Sequence, residues 1–229
     1  MNVDPSIYDP FVYGPFPSVD PNTDPDGYAL QAFGSNLIQN GDFSQGMGST
    51  PVGSWRTGPI PNWTTTGPAA EVIHAPYGGD PVHHIAPLPA GFYFDSLSTP
   101  GAPTISQTFT PLAFASGVHE VIQVAFENIG GQTTSAHDTL HITLGGASLD
   151  ISVNDFKDAQ GHIDYNHPHQ FVLDTQVLDP AHPEKLIYQD PITTTVHEIG
   201  PDAAHGNVGF AVTGIAAYST ILTPFEMPI

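Results

Sequence analysis

The chain has 229 residues with 23 acidic side chains against three basic ones, a formal charge of −20 and no cysteine. Three cations cannot neutralise a phosphate backbone, and the same imbalance disfavours anionic membrane surfaces, so nucleic-acid and membrane partners are excluded. Without cysteine there is neither a disulfide framework nor thiolate chemistry. A hydrophobic content of 39% with Gly 23 and Pro 24 fits one large all-β domain of short elements plus an extension. Full protonation of the 12 histidines would bring the formal charge from −20 to −8. Unperturbed histidine titrates at about 6.5, so self-repulsion falls at mildly acid pH, where the sequence predicts tolerance or assembly.

Residues 1–35 read as an extended arm. Asp-Pro pairs at Asp4-Pro5, Asp9-Pro10, Asp20-Pro21 and Asp24-Pro25 alternate with aromatics. Proline fixes φ and biases the residue before it to extended backbone, which excludes helix. A polar linker does not need rings, so Tyr8, Phe11, Tyr13 and Phe16 are candidate assembly anchors on this domain or on a neighbouring copy. The start MNVDPSIYDP has no basic region followed by an apolar run, and the expectation is a protein of the cell surface or extracellular space exported without a recognisable signal peptide.

From Asn36 the pattern is β. Leu37, Ile38 and Phe43 bracket an expected first strand with an Asn-Gly turn at Asn40-Gly41. Strands are expected at 71–75, 91–97, 104–110 and 118–129 (the longest apolar run), then at 140–144 and 147–153 on either side of Gly145-Gly146, a two-residue hairpin signal. Later strands are expected at 170–173, 185–189, 192–198 and 207–219. Strand spacing of this kind points to a sandwich or jelly roll. The apolar, Pro-broken end (residues 223–229) reads as a tail, leaving 36–222 as the domain. No nucleophile elbow, Walker loop or dinucleotide fingerprint occurs, and the twice-repeated Val-His-Glu lacks the second histidine of a metalloprotease helix.

The ordered series NLIQNGDFSQG, IPNWTTTG, AAEVIHA, FYFDSL, ISQTFT and GFAVTGIAAYS resembles the galactose-binding-like jelly-roll domains, a group that includes carbohydrate-binding modules of extracellular proteins. The resemblance covers about residues 36–220 and implies a non-catalytic β-sandwich. It further implies a structural calcium held by a carbonyl of the Asn-Gly turn, an acid after it, a glutamate on the next strand and an aspartate in the last strand. Here Ser44 stands at the expected acidic position and Thr213 or Gly214 at the aspartate, leaving Asp42 and Glu71 as calcium candidates.

Sugar binding in such a fold needs aromatic platforms, because a pyranose has an apolar face. Trp55 and Tyr77, read as loop residues, and Tyr93, on an alternating strand, are the candidates, while Trp63 is expected in the core. The stretch HIDYNHPHQ offers His162, Asp164, His167 and His169, residue types that ligate transition metals. The sequence therefore predicts a jelly-roll β-sandwich that self-associates through its arm. The alternative is a module binding cell-wall or matrix polysaccharide, and a third reading is a metal-dependent enzyme built on the histidine stretch.

Overall fold

The computed structural model describes residues 28–97, 101–112, 115, 117–128, 137–176, 178–179, 182–186, 191–200 and 209–224. The expected all-β sandwich is what forms. One antiparallel sheet of seven strands contains β1 (Tyr28–Phe33), β2 (Ser54–Thr57), β4 (Glu71–Tyr77), β5 (Leu88–Asp95), β7 (Gly117–Phe126), β10 (His169–Gln176) and β14 (Phe210–Pro224). Its order is β10-β7-β14-β5-β4-β2, with β1 paired to the far half of β14. The facing sheet has five strands, β3 (Thr64–Thr66), β6 (Thr104–Phe109), β8 (Thr139–Leu144), β9 (Ala147–Ser152) and β13 (Ile192–Ile199), ordered β3-β6-β13-β8-β9. A small separate ladder joins β11 (Leu178–Asp179) to β12 (His182–Leu186). Among the described residues the one helical piece is a 3-10 turn, Val153–Phe156, and no helix is long and apolar enough to cross a membrane.

Alternation builds the core. On β7, Val118, Ile122, Val124 and Phe126 point into the gap between sheets; from β13 come Ile192 and Val196, and from β8 Leu140, Ile142 and Leu144. The long strand β14 presents Phe210 and Val212, then Ile215 and Ala217, to the same core. That change of parity is made by a bulge between Val212 and Gly214, since one extra residue restores the inward face after it.

The segment Asn36–Met47 contains no strand, contrary to the sequence reading. Asn40 and Phe43 have positive φ, 54° and 57°, so the chain turns there instead of extending. The segment works as a staple. The Asn40 side chain donates to the Pro61 carbonyl at 2.8 Å and accepts from the Gln45 amide at 2.9 Å, while its own carbonyl accepts from Trp63 Nε1 at 3.1 Å. Trp63 is buried, as expected from sequence, against Phe43. The Ile215 amide donates to the Gly41 carbonyl at 3.0 Å, and a Cβ on Gly41 would stand 1.9 Å from the Ile215 carbonyl oxygen. Residues 28–33, assigned to the arm by sequence, form a strand of the larger sheet; Tyr8, Phe11, Tyr13 and Phe16 lie outside the described residues.

The outer face of the five-stranded sheet carries hydroxyl rows. The register aligns Thr64 with Ser106, Ser106 with Thr195, Thr195 with Thr143 and Thr143 with Ser148. Thr108 bonds Thr193 at 2.8 Å. His197 lies beside His141, which donates to Asp150 at 2.5 Å.

Both Val-His-Glu repeats point valine and glutamate inward. Glu120 is 0% exposed and sits beside Thr194 of the facing sheet; Glu198 is 3% exposed and accepts from Ser96 Oγ. Burial in apolar surroundings disfavours the charged form and pushes each carboxyl up to about 8. These folded values lie above the unfolded ones, so the neutral groups favour the fold fully at low pH, and that contribution is lost as pH rises from about 4.5 to about 8.

Two outcomes are expected. The thermal midpoint should fall as pH is raised across that window, and Glu120→Gln should flatten the fall, gaining roughly 1–3 kcal/mol over the parent at alkaline pH; a midpoint that rises with pH would contradict the assignment. Gly41→Ala, which forces the staple away from β14, should cost roughly 1–3 kcal/mol in denaturant titration.

Candidate functional site

The larger sheet has a second apolar layer on its outer face, made of Ile73, Ala75, Leu88, Tyr93, Ala125 and Ala211 with Tyr77 packed against it. The connection 78–87 is tied to the segments that follow β7 and precede β10. Asp80 and Ile85 exchange backbone bonds, the Gly79 amide donates to the Asn128 carbonyl at 2.9 Å, and Asn166 Nδ2 donates to the Ala86 carbonyl at 2.7 Å.

Trp55 and Tyr77 meet at the rim of this layer. Neither lies in a loop as the sequence suggested: Trp55 is on the edge strand β2 and Tyr77 ends β4. Trp55 pairs directly with Ile73, and residues directly opposite in an antiparallel pair share a face. Ile73, Ala75 and Tyr77 alternate onto that same face, and the two rings come together edge to face with centroids 5.8 Å apart and an interplanar angle of 69°. Trp55 remains 53% exposed. An indole left half in solvent on a short strand is an aromatic surface available to a ligand.

Tyr93 does not join this pair. It is 2% exposed, its hydroxyl donates to the Pro89 carbonyl at 2.9 Å, and burial pushes its pKa up to about 12. Its alternating strand buries it in the outer apolar layer, so it is a core ring and offers no face to a sugar.

The next row of the same face is acidic. Glu71 stands between Thr57 of β2 and Asp95 of β5. Burial raises the pKa of Glu71, and burial with the Glu71 charge raises Asp95 to about 7, against an accepted bond from the Leu97 amide. Glu127 follows just beyond β7, 0% exposed, with neither carboxyl oxygen bonded. Burial, then the charges of Asp95, Glu198 and Glu71, push it well above the usual carboxylate range. The Tyr77 phenol is raised by burial first and then by Glu71, Glu127 and Asp95 together, so the carboxyl row lies within electrostatic reach of the aromatic pair. Asp95 and Glu127 escaped the sequence reading. The sequence reading ended this strand at residue 75 and left Tyr77 in a loop, and the pairing of β4 with β5 and the end of β7 was not visible.

The calcium candidates are not brought together. Asp42 is exposed and accepts from the Ser44 amide and hydroxyl at 3.2 and 3.0 Å. It lines a polar cleft of about 570 Å³ with Asn36, Gln45, Phe92, Gln123 and Thr213, while Glu71 belongs to the row described above. The carbonyls of Asn40 and Gly41 already accept from Trp63 and Ile215. This donor set does not fit a cation that takes six to eight oxygens.

Of the histidine stretch, His167 Nδ1 and His169 Nε2 both donate to Asp164, the latter at 3.0 Å. Partial burial pushes Asp164 up, and the bonds from His169 and His167 outweigh it and hold the carboxyl below its usual range. His162 turns away to Asp158, at 3.1 Å. Among the described residues no group of three or more histidines and acids is arranged to hold a metal ion.

No protein-family model and no curated protein sequence matches the chain. Solved structures match the chain at low similarity. The enzymatically active domain of tailspike protein 4 from bacteriophage CBA120 is 17% identical with a TM-score of 0.39, over 80% of this chain and 21% of that one. A family GH115 4-O-methyl-α-glucuronidase with specificity for decorated arabinogalactans is 8% identical with a TM-score of 0.36, over 57% of this chain and 14% of that one. TmCBM61, solved in complex with β-1,4-galactotriose, is 11% identical with a TM-score of 0.37, over 83% of this chain and 99% of that one. The chain thus spans about a fifth or less of the tailspike domain and the glucuronidase and nearly all of TmCBM61.

Proposed function

We propose that this protein is a non-catalytic module that holds a polysaccharide against the Trp55–Tyr77 pair. The observation that carries the reading is the half-exposed Trp55 ring, fixed edge to face on Tyr77 by the β2–β4 register. Two preset rings lose little conformational entropy on binding and offer their apolar surface to the apolar face of a pyranose. The fold supports the surface rigidly: β2 is bonded to β4 from Ser54 to Thr57, and Tyr77 is braced on the outer apolar layer. Such a module works where polysaccharide is, outside the cell or at its surface. Self-association through Tyr8, Phe11, Tyr13 and Phe16 concerns residues outside those described, so the aromatic pair carries the functional reading in its place.

Native affinity electrophoresis against soluble galactan, xylan and β-glucan tests the proposal. At least one polymer should retard the protein, and Trp55→Ala should weaken that binding by about 10-fold or more, about 1.4 kcal/mol, with the thermal midpoint nearly unchanged. Tyr77→Ala should weaken it less. Retardation that is indifferent to both substitutions would overturn the assignment of the site.

A further inference from the structure

Resting on that reading, we infer that the Trp55 site is selective for polysaccharides carrying free amines, polymers of amino sugars, over neutral and anionic ones. The argument is one of position and charge. Trp55 opposes Ile73, and Glu71 lies two residues before Ile73 on the same strand, so Glu71 is the diagonal neighbour of Trp55 on the shared outer face. Diagonal neighbours in an antiparallel pair stand about 7–8 Å apart, within reach of long side chains, and this is the scale of one pyranose ring. A sugar stacked on the indole therefore directs a ring substituent toward the Glu71 carboxyl.

Arg56, the cation next to Trp55 in sequence, does not occupy that position. Arg56 follows Trp55 on β2 and so points to the opposite face, where its guanidinium donates to the Gly46 carbonyl. Behind Glu71 the row continues to Asp95 and then to Ala211 and Ala125, and Glu127, a wholly buried carboxyl with neither oxygen bonded, lies two residues beyond Ala125. Among the described residues Glu71, the member of the row that stands beside Trp55, forms no ion pair. An ammonium group on the ligand supplies a counter-charge, and it also meets the indole face, which attracts cations. A uronate at the same place would meet a like charge at Glu71 in a protein of formal charge −20, and an N-acetyl group brings no charge at all. Oligolysine would satisfy the carboxyls, but it has no rigid apolar ring to lay on Trp55.

Titration calorimetry on the full chain at mildly acid pH and low salt separates these ligands. The probes are the glucosamine hexamer, the N-acetylglucosamine hexamer, a galacturonate oligomer and oligolysine. The expected order is glucosamine hexamer tightest, with about a 10-fold preference over its N-acetylated form that shrinks as salt is raised. Glu71→Gln should remove that preference and leave binding of the acetylated form intact, whereas Trp55→Ala should weaken both. Asp150→Asn, on the opposite sheet, should change neither.

Equal affinity for the two hexamers overturns the inference while leaving polysaccharide binding standing. A preference that survives Glu71→Gln, or oligolysine bound as tightly and with the same dependence on Trp55 and Glu71, also overturns it, because diffuse attraction to an acidic protein would then explain the data. If no oligosaccharide binds in a Trp55-dependent way, the underlying proposal fails with it.

Discussion

A chain with three basic residues that nevertheless buries Asp95, Glu120, Glu127 and Glu198 favours their neutral forms, because among the described residues no cation pairs with them. Of the cations, Lys157 is engaged with Asn154 and Arg56 with Gly46. The proton is the remaining counter-ion. The rest of the electrostatics follows the same constraint. Aspartates at or near the surface are met by histidines: Asp80 by His83, Asp150 by His141, Asp158 by His162, Asp164 by His167 and His169, and Asp174 by His119. Such pairs become ionic only when the imidazole is charged. Inside the sandwich, then, the fold is held by carboxyls that prefer acid.

The larger sheet turns two different faces to its surroundings. Its inner face meets the five-stranded sheet, and its outer face builds a small apolar layer. β14 serves both, because it is bonded to β7, β5 and β1 in turn and its bulge keeps each face consistent along fifteen residues. The staple at Asn40–Gly41 holds onto the same strand close to the bulge. The candidate site occupies the outer face at the edge farthest from β10, so it can be wet on one side while its rings are braced on the other.

Much of the fold was legible in the sequence because it depends on local alternation and turn chemistry. The hairpin at Gly145-Gly146 formed as read, with Gly145 at φ 57°, and the strands at 71, 104 and 192 begin where the pattern begins. What failed had a physical reason. The apolar residues Leu37, Ile38 and Phe43 resembled a strand, but their burial is achieved by turns whose backbone bonds run to β14 and within the segment. Strands β2 and β3 are short and mostly exposed, so no alternation announces them. The site was half legible: Trp55 and Tyr77 were both singled out, yet their meeting depends on the register between β2 and β4, which composition does not encode. Tyr93 was read on an alternating strand and Tyr77 in a loop, and it is burial in the outer apolar layer that makes Tyr93 a core ring.

The hydroxyl rows on the five-stranded sheet give the molecule a back. Rows of threonine and serine hydroxyls both donate to and accept from water, and sticky protein surfaces are instead marked by broad apolar patches. A copy seated on a polymer through its aromatic edge would turn this hydrated surface outward. Neighbouring copies along one strand would then line it without adhering back to back, so that occupancy leaves the polymer sheathed and wet, and does not bundle it.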